Sequence, residues 1–169
     1  MCYWYTPCVS VLVVDSSALI TLAGGDALSL LRLSPRKAVT VPEVYQEVVE
    51  AGLAGAYPEA LAIRCAFEDG IVAVRLARRS EKIAGISRTD SLIILLAEEL
   101  GAAELLINDR ALYRKAGQRS LPARLTAEFV HGLYRTGRIE KGRRDALLGH
   151  FVSNGRYSEA FLNAFLAQR

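Results

Sequence analysis

An α/β fold with a central parallel sheet of about four or five strands flanked by helices is what this sequence predicts, with further helices at its C-terminal end. Three observations carry that reading. Short apolar runs alternate with helical patterns up to about residue 120, and beyond that point every pattern is helical. The chain has 169 residues, of which 51% are hydrophobic and 23% charged, enough for one domain with a substantial core. It contains no internal repeat and no low-complexity linker. Strands that alternate with helices pair in parallel through right-handed crossovers, leaving both faces of the sheet covered.

The elements follow in order. "VLVV" (11–14) is the first strand, and "SSALITLAGGDALSLLRL" (16–33) reads as one or two helices broken at Gly24-Gly25. "AVTV" (38–41) is the second strand, and Pro42 then occupies a first helical position, where its missing N–H does no harm. The helix "PEVYQEVVEAG" (42–52) ends on glycine, and residues 57–68 form another. "IVAV" (71–74) is the third strand, "DSLIILLAEELG" (90–101) a strong helix, "ELLI" (104–107) the fourth strand and "RALYRKAG" (110–117) the helix after it. Helical patterns then run over 123–137, 140–154 and 158–168. Residues 1–10 have no evident place in this alternation and read as an N-terminal extension. Residues 11–169 read as one domain, with a core over about 11–124 and a helical extension over about 125–169.

Composition narrows the function. No apolar run reaches the ~20 residues that a membrane helix needs, and the apolar opening lacks a basic n-region, so a cytoplasmic protein without a membrane partner is expected. The cysteines, Cys2, Cys8 and Cys65, match neither a disulfide framework nor a zinc pattern. The net charge of +3 is unevenly spread. Residues 1–109 hold nine basic and 14 acidic residues, whereas residues 110–169 hold 12 basic and four acidic ones. An acidic front beside a basic back suits a site that gathers cations next to a surface that gathers phosphates, although a solvated helical face would show the same run.

Four acids stand at element ends. Asp15 closes the first strand, Asp109 follows the fourth, Asp90 opens the long helix, and Glu47 lies on the helix after the second strand. On that helix the apolar stripe is Val41, Val44, Tyr45, Val48 and Gly52; Glu47 borders it, while Glu43 and Glu50 fall nearer solvent. Each aspartate alone could be a helix cap: Asp15 for the helix near Ser17, Asp90 in a box with Ser87, Asp109 (or Asn108) for the helix that follows. Their ordered occurrence is not what independent capping predicts. In an open parallel sheet, the carboxyl ends of the strands border the functional crevice. Carboxylates that converge there stay ionised only with a cation among them, and oxygen donors without His or Cys suit Mg²⁺ or Mn²⁺. A hydrated ion of that kind supports phosphodiester cleavage.

Through "VVDSSALI", "VPEVYQEVV", "SRTDSLIILLAEELGA" and "LLINDRALYRKA" the sequence resembles the PIN-domain nucleases, over roughly residues 11–117. The helical tail is similar to that of a VapC-like subgroup with a C-terminal helical extension. The resemblance implies a three-layer PIN-like fold and a Mg²⁺- or Mn²⁺-dependent endoribonuclease acting on single-stranded RNA. It further implies a possible role as the toxin of a toxin–antitoxin pair, held off by a small antitoxin protein, and a homodimer. Asp15, Glu47, Asp90 and Asp109 then correspond to the metal-binding carboxylates, with Ser17 as an orienting hydroxyl and Asn108 beside it. Basic residues expected to meet RNA are Arg110, Arg114, Arg135, Arg138, Lys141, Arg143 and Arg144. The alternative is a catalytically weak or inactive PIN-like module that binds RNA or protein. A dehalogenase-like phosphatase would need a second aspartate where Ser17 stands, and there is no GxxxxGK[ST] loop. His131 and His150 are isolated and read as structural.

Overall fold

The computed structural model describes residues 10–101 and 103–167, so Cys2, Cys8 and most of the expected N-terminal extension lie outside the described residues. Five strands, β1 (Val11–Val14), β2 (Lys37–Thr40), β3 (Val72–Val74), β4 (Ala103–Ile107) and β5 (Ala123–Leu125), form one sheet in the order β3-β2-β1-β4-β5. Every pairing is parallel, with Val14 opposite Leu106 and Leu105 opposite Ala123. All four residues of β1 are buried, as a central strand covered on both faces requires.

Nine α-helices among the described residues, with a 3₁₀ helix over Leu28–Leu33, clothe the sheet: α1 (Ser16–Gly24), α2 (Pro42–Tyr45), α3 (Gly52–Ala54), α4 (Glu59–Glu68), α5 (Arg88–Leu100), α6 (Arg110–Gln118), α7 (Thr126–Arg135), α8 (Lys141–Ser153) and α9 (Glu159–Ala167). α1, α4 and α7 pack on one face, while α5 and α6 pack on the other, against β1, β4 and β5. This is the three-layer arrangement expected. α5 is buried without a break from Ser91 to Ala97, because the sheet lies on one side and the segment carrying Ile83 and Ile86 on the other. Its C-cap, Gly101, has φ +66°, a conformation that favours glycine. No helix among the described residues is long and apolar enough to cross a membrane.

Two local readings need correction. Residues 123–125, expected as the start of a helix, are β5. The strand pairs with β4, and its Arg124 meets Glu104 at 3.0 Å, so sheet pairing wins over the helical pattern of the following residues. The helix over 42–52 is also not a uniform α-helix. α2 runs into a π-helical turn, Gln46–Ala51, and then into α3. The wider turn places Val48 and Val49 both in the core, leaves Glu47 exposed and brings Glu43 to a half-buried position rather than to the solvent side.

Where α3 begins, Gly52 faces α4 at close range: a Cβ built on it would lie 2.9 Å from Ala60 Cβ. A glycine-to-alanine change inside an exposed helix ordinarily stabilises by up to about 1 kcal/mol. Here the sign should reverse, because neither backbone can yield without moving a helix. Gly52→Ala should lower stability by about 1–3 kcal/mol in urea denaturation.

Candidate active site

The strand order reverses at one place. From β1 the chain moves outward to β2 and β3, then returns across the sheet to β4 on the other side of β1. Between the carboxyl ends of β1 and β4 the connections therefore diverge and leave a crevice. Asp15 is the residue after β1, and Asn108 and Asp109 are the residues after β4. The N–H of Asp15 donates to Leu106 O at 3.2 Å, tying the two strand tips together. α5 runs back toward β4, so its N-terminus, with Ser87 and Asp90, lies at the same edge.

Asp15 is the buried member of the set, only 3% exposed. Its Oδ1 accepts the Ala18 N–H at 2.8 Å, capping α1, and its Oδ2 accepts the Ser17 hydroxyl at 2.6 Å. Burial is nevertheless the largest influence on its acidity and pushes the carboxyl up to about 7 from 3.8. The Ser17 and Ala18 hydrogen bonds oppose that rise, while the charges of Asp90 and Asp109 add to it. Asp15, Asp90 and Asp109 thus share one electrostatic neighbourhood. Thr40, buried at the end of β2, donates its hydroxyl to Val14 O at 2.6 Å and holds the neighbouring strand tip in place.

The other acids are held individually. Asp109 Oδ1 accepts the Leu112 N–H at 2.7 Å and caps α6. Asp90 forms the capping box of α5: Ser87 Oγ accepts the Asp90 N–H at 3.0 Å, and Asp90 Oδ2 accepts the Ser87 N–H at 3.3 Å. Glu47 Oε2 accepts the Ser16 hydroxyl at 2.9 Å, which binds the π-turn to the first residue of α1. Capping and metal binding do not compete for the same electrons, since two carboxylate oxygens offer about four lone-pair positions. Among the described residues, no three His, Cys, Asp or Glu side chains stand close enough together to grip an ion. The donor chemistry does fit a hard divalent cation: oxygen-only groups around a desolvated carboxyl whose neighbours raise it further.

Several participants carried no signal in the sequence. Ser16 meets Glu47 across 31 positions, and Thr21 and Tyr157 meet Asn108 across 87 and 49. The basic residues separate into groups. Arg110 and Arg114 are exposed one turn apart on α6, immediately after Asp109. Arg135 closes α7, about 14 Å along the helix from Thr126 at the crevice end, and borders a cleft with Glu104 and Glu128. Arg138 borders a neighbouring cleft with Glu104 and Phe129. On α8, Lys141 pairs with Asp145 at 2.9 Å, Arg144 lies 4.4 Å over the Tyr134 ring, and Arg143 donates to Asp26 O at 2.8 Å. His131 is buried on α7, and His150 Nε2 lies 2.8 Å from Asn154 Nδ2.

Residues 11–168 match the family described as DUF3368: PIN domain. No curated protein matches the chain.

The acidity of Asp15 has a measurable consequence. A carboxyl raised to about 7 when folded, against 3.8 ordinarily, holds its proton more tightly in the folded state. Its contribution to stability is therefore fully present below pH 3.8, is lost as pH rises, and is gone above about 7. Asp15→Asn should stabilise the metal-free protein at pH 8 by on the order of 3 kcal/mol, and the gap should close as pH falls toward 4. Urea midpoints in EDTA across that range measure it.

Proposed function

The chain belongs to the PIN-domain family, whose members are generally nucleases, and from that premise we propose that it is a Mg²⁺- or Mn²⁺-dependent endoribonuclease acting on single-stranded RNA. One observation carries the reading. A desolvated aspartate stands at the tip of β1, with two further aspartates close enough to raise its pKa, at the point where the strand order reverses. Such a placement costs folding energy unless a cation offsets it.

Asp15, Asp90 and Asp109 are the candidate ligands, with Glu47 a more distant fourth; among the described residues no three of them stand within gripping distance, so their side chains would have to draw together around the ion. A divalent ion bound there would supply an activated water and neutralise charge at the scissile phosphate. The N-termini of α1, α5 and α6 all face this edge, so their dipoles favour the negative charge of both the carboxylates and a phosphodiester. Ser17 fixes the rotation of the Asp15 carboxylate by donating to Oδ2 while the Ala18 N–H holds Oδ1. Arg110 and Arg114 would bind backbone phosphates beside the cleaved bond. Breaking the P–O3′ bond leaves a 5′-phosphate and a 3′-hydroxyl. Arg135, Arg138, Lys141, Arg143 and Arg144 would meet only a longer strand, running from the crevice along α7 and α8.

A role as the toxin of a toxin–antitoxin pair would add an inhibitory protein partner. The surface suited to it is a cleft of about 450 Å³ lined by Ile20, Glu47, Val48, Tyr57, Glu59 and Ile63, so that a partner seated there would also cover Glu47. Tyr57 is 66% exposed there.

The wild-type protein should cleave a single-stranded RNA oligonucleotide in Mn²⁺ and lose that activity in EDTA. Asp15→Asn and Asp109→Asn should each reduce cleavage by about 100-fold or more. Equal cleavage by wild type and Asp15→Asn, or in EDTA, would show that the carboxylates do no chemistry. Replacing Arg110 and Arg114 with alanine should weaken RNA binding and reduce its salt slope by about 1–2.

A further inference from the structure

The C-terminal extension reaches the buried carboxylate through one hydroxyl. Tyr157 lies in the turn between α8 and α9, with its ring stacked on Phe161 at 5.6 Å and set against Phe151 at 6.1 Å. The hydroxyl accepts the Ala127 N–H at 3.3 Å, so its own hydrogen is directed at Asn108 Oδ1. Burial pushes the phenol up to about 12, which keeps it a neutral donor at any working pH.

The direction of every following link is determined. Asn108 Oδ1 also accepts the Thr126 N–H at 3.1 Å. With two donors on its oxygen, the amide must turn Nδ2 toward Thr21 Oγ1, at 2.7 Å, and the Thr21 hydroxyl then donates to Ser17 O at 2.7 Å. The Asn108 backbone N–H donates to Ser17 Oγ at 3.0 Å. A hydroxyl that accepts from an N–H has its single hydrogen left for its other neighbour, and for Ser17 that neighbour is Asp15 Oδ2. Four segments far apart in sequence, the tip of β4, α1, the start of α7 and the α8–α9 turn, meet in this one chain of donors.

We propose that Tyr157 is a positioning residue of the candidate active site: its hydroxyl locks Asn108, and through Ser17 it sets the rotation of the Asp15 carboxylate. The role rests on the nuclease reading of Asp15. A residue of purely structural value would need the ring alone, which already packs on Phe151 and Phe161; burying the hydroxyl adds a desolvation cost that its bonds to Asn108 and to the start of α7 offset. Groups that orient metal ligands typically change metal affinity 10–100-fold when removed, and one link further out the effect is expected to be smaller.

Tyr157→Phe tests this, since it keeps the ring and removes one oxygen. In metal-free protein the Asn108 backbone amide should exchange about tenfold faster by NMR, while Tm falls by only about 2–4 °C. Affinity for Mn²⁺, measured by calorimetry, should drop about 3- to 10-fold, and kcat should fall with the KM for RNA unchanged. Ser17→Ala should lower Mn²⁺ affinity further, and adding Tyr157→Phe to it should change nothing more. Phe161→Leu, which disturbs the stack but keeps the hydroxyl, should cost stability without altering Mn²⁺ affinity. Unchanged Asn108 exchange and Mn²⁺ affinity in Tyr157→Phe, or equal weakening by Phe161→Leu, would overturn the proposal. Wild-type protein that binds no Mn²⁺ would sink the nuclease reading instead, and the Asn108 exchange rate alone would then decide whether Tyr157 holds this chain.

Discussion

An ionisable group at the tip of a buried strand is the constraint around which the rest of this structure is arranged. Asp15 follows four fully enclosed residues of β1 and is itself almost wholly shielded from water. Folding must place it there, because β1 is the central strand and α1 starts immediately after it. Desolvation works against the charged form, and the Ala18 and Ser17 hydrogen bonds recover only part of the cost. The recovery depends on further contacts: Ser17 is held by Asn108, β1 is held to β2 by Thr40, and to β4 by the Asp15 N–H itself.

The helix caps and the acidic crevice are two aspects of the same geometry. In a parallel sheet the helices that leave strands start at the carboxyl edge, and those that return to strands on the crossover also have their N-termini there. Each N-terminus needs an acceptor for its unpaired N–H groups, and aspartate supplies one. Asp15 and Asp109 meet that need on α1 and α6, and on α5 Ser87 does so while Asp90 accepts the Ser87 N–H in return, so three capping acids crowd one edge. Repulsion among them is tempered by the helix dipoles, which carry partial positive charge toward the same place. The dipoles therefore offset part of the cost of grouping these acids, and the raised pKa of Asp15 marks the part they leave unmet. That explains how three carboxylates can each have a capping partner and still influence the acidity of a common member.

Much of the fold was legible in the sequence because it is local. The runs at 11–14, 38–41, 71–74 and 104–107 each overlap an observed strand to within a residue at either end, and the break at Gly24-Gly25 is the end of α1. What escaped is either too short for periodicity or too far apart in sequence. β5 has three residues, fewer than any alternation can reveal, and it exists because β4 offers an open edge. The π-turn inserts into a helix whose 3.6-residue stripe looks regular through Val44 and Val48; only the burial of Val49 beside them exposes the shift. The acids could be placed at element ends from pattern alone. Their hydrogen-bond partners could not, since Ser16 with Glu47 and Tyr157 with Asn108 are pairings made by the tertiary fold.

The helical tail is the part whose purpose the pattern conveyed least, and its contacts argue that it belongs to the domain rather than hanging from it. α7 packs against β4, β5 and α1, so it completes a face that the five strands would otherwise leave partly bare. α8 closes over Gly25, whose Cβ, if it had one, would meet Leu147 at 3.1 Å and Phe151 at 3.4 Å. α9 and the turn before it continue that aromatic packing from Phe151 through Tyr157 to Phe161 and Phe165. A tail added only for burial could have ended its contacts in apolar groups. This one sends a hydroxyl and the two backbone N–H groups that open α7 to the same end of the sheet as Asp15, and it spends buried polar groups to do so. Buried polar contacts of that kind specify one geometry more sharply than apolar packing does, because a displaced donor loses its acceptor outright. The strand tips and the tail are thus held in register by the same few hydrogen bonds.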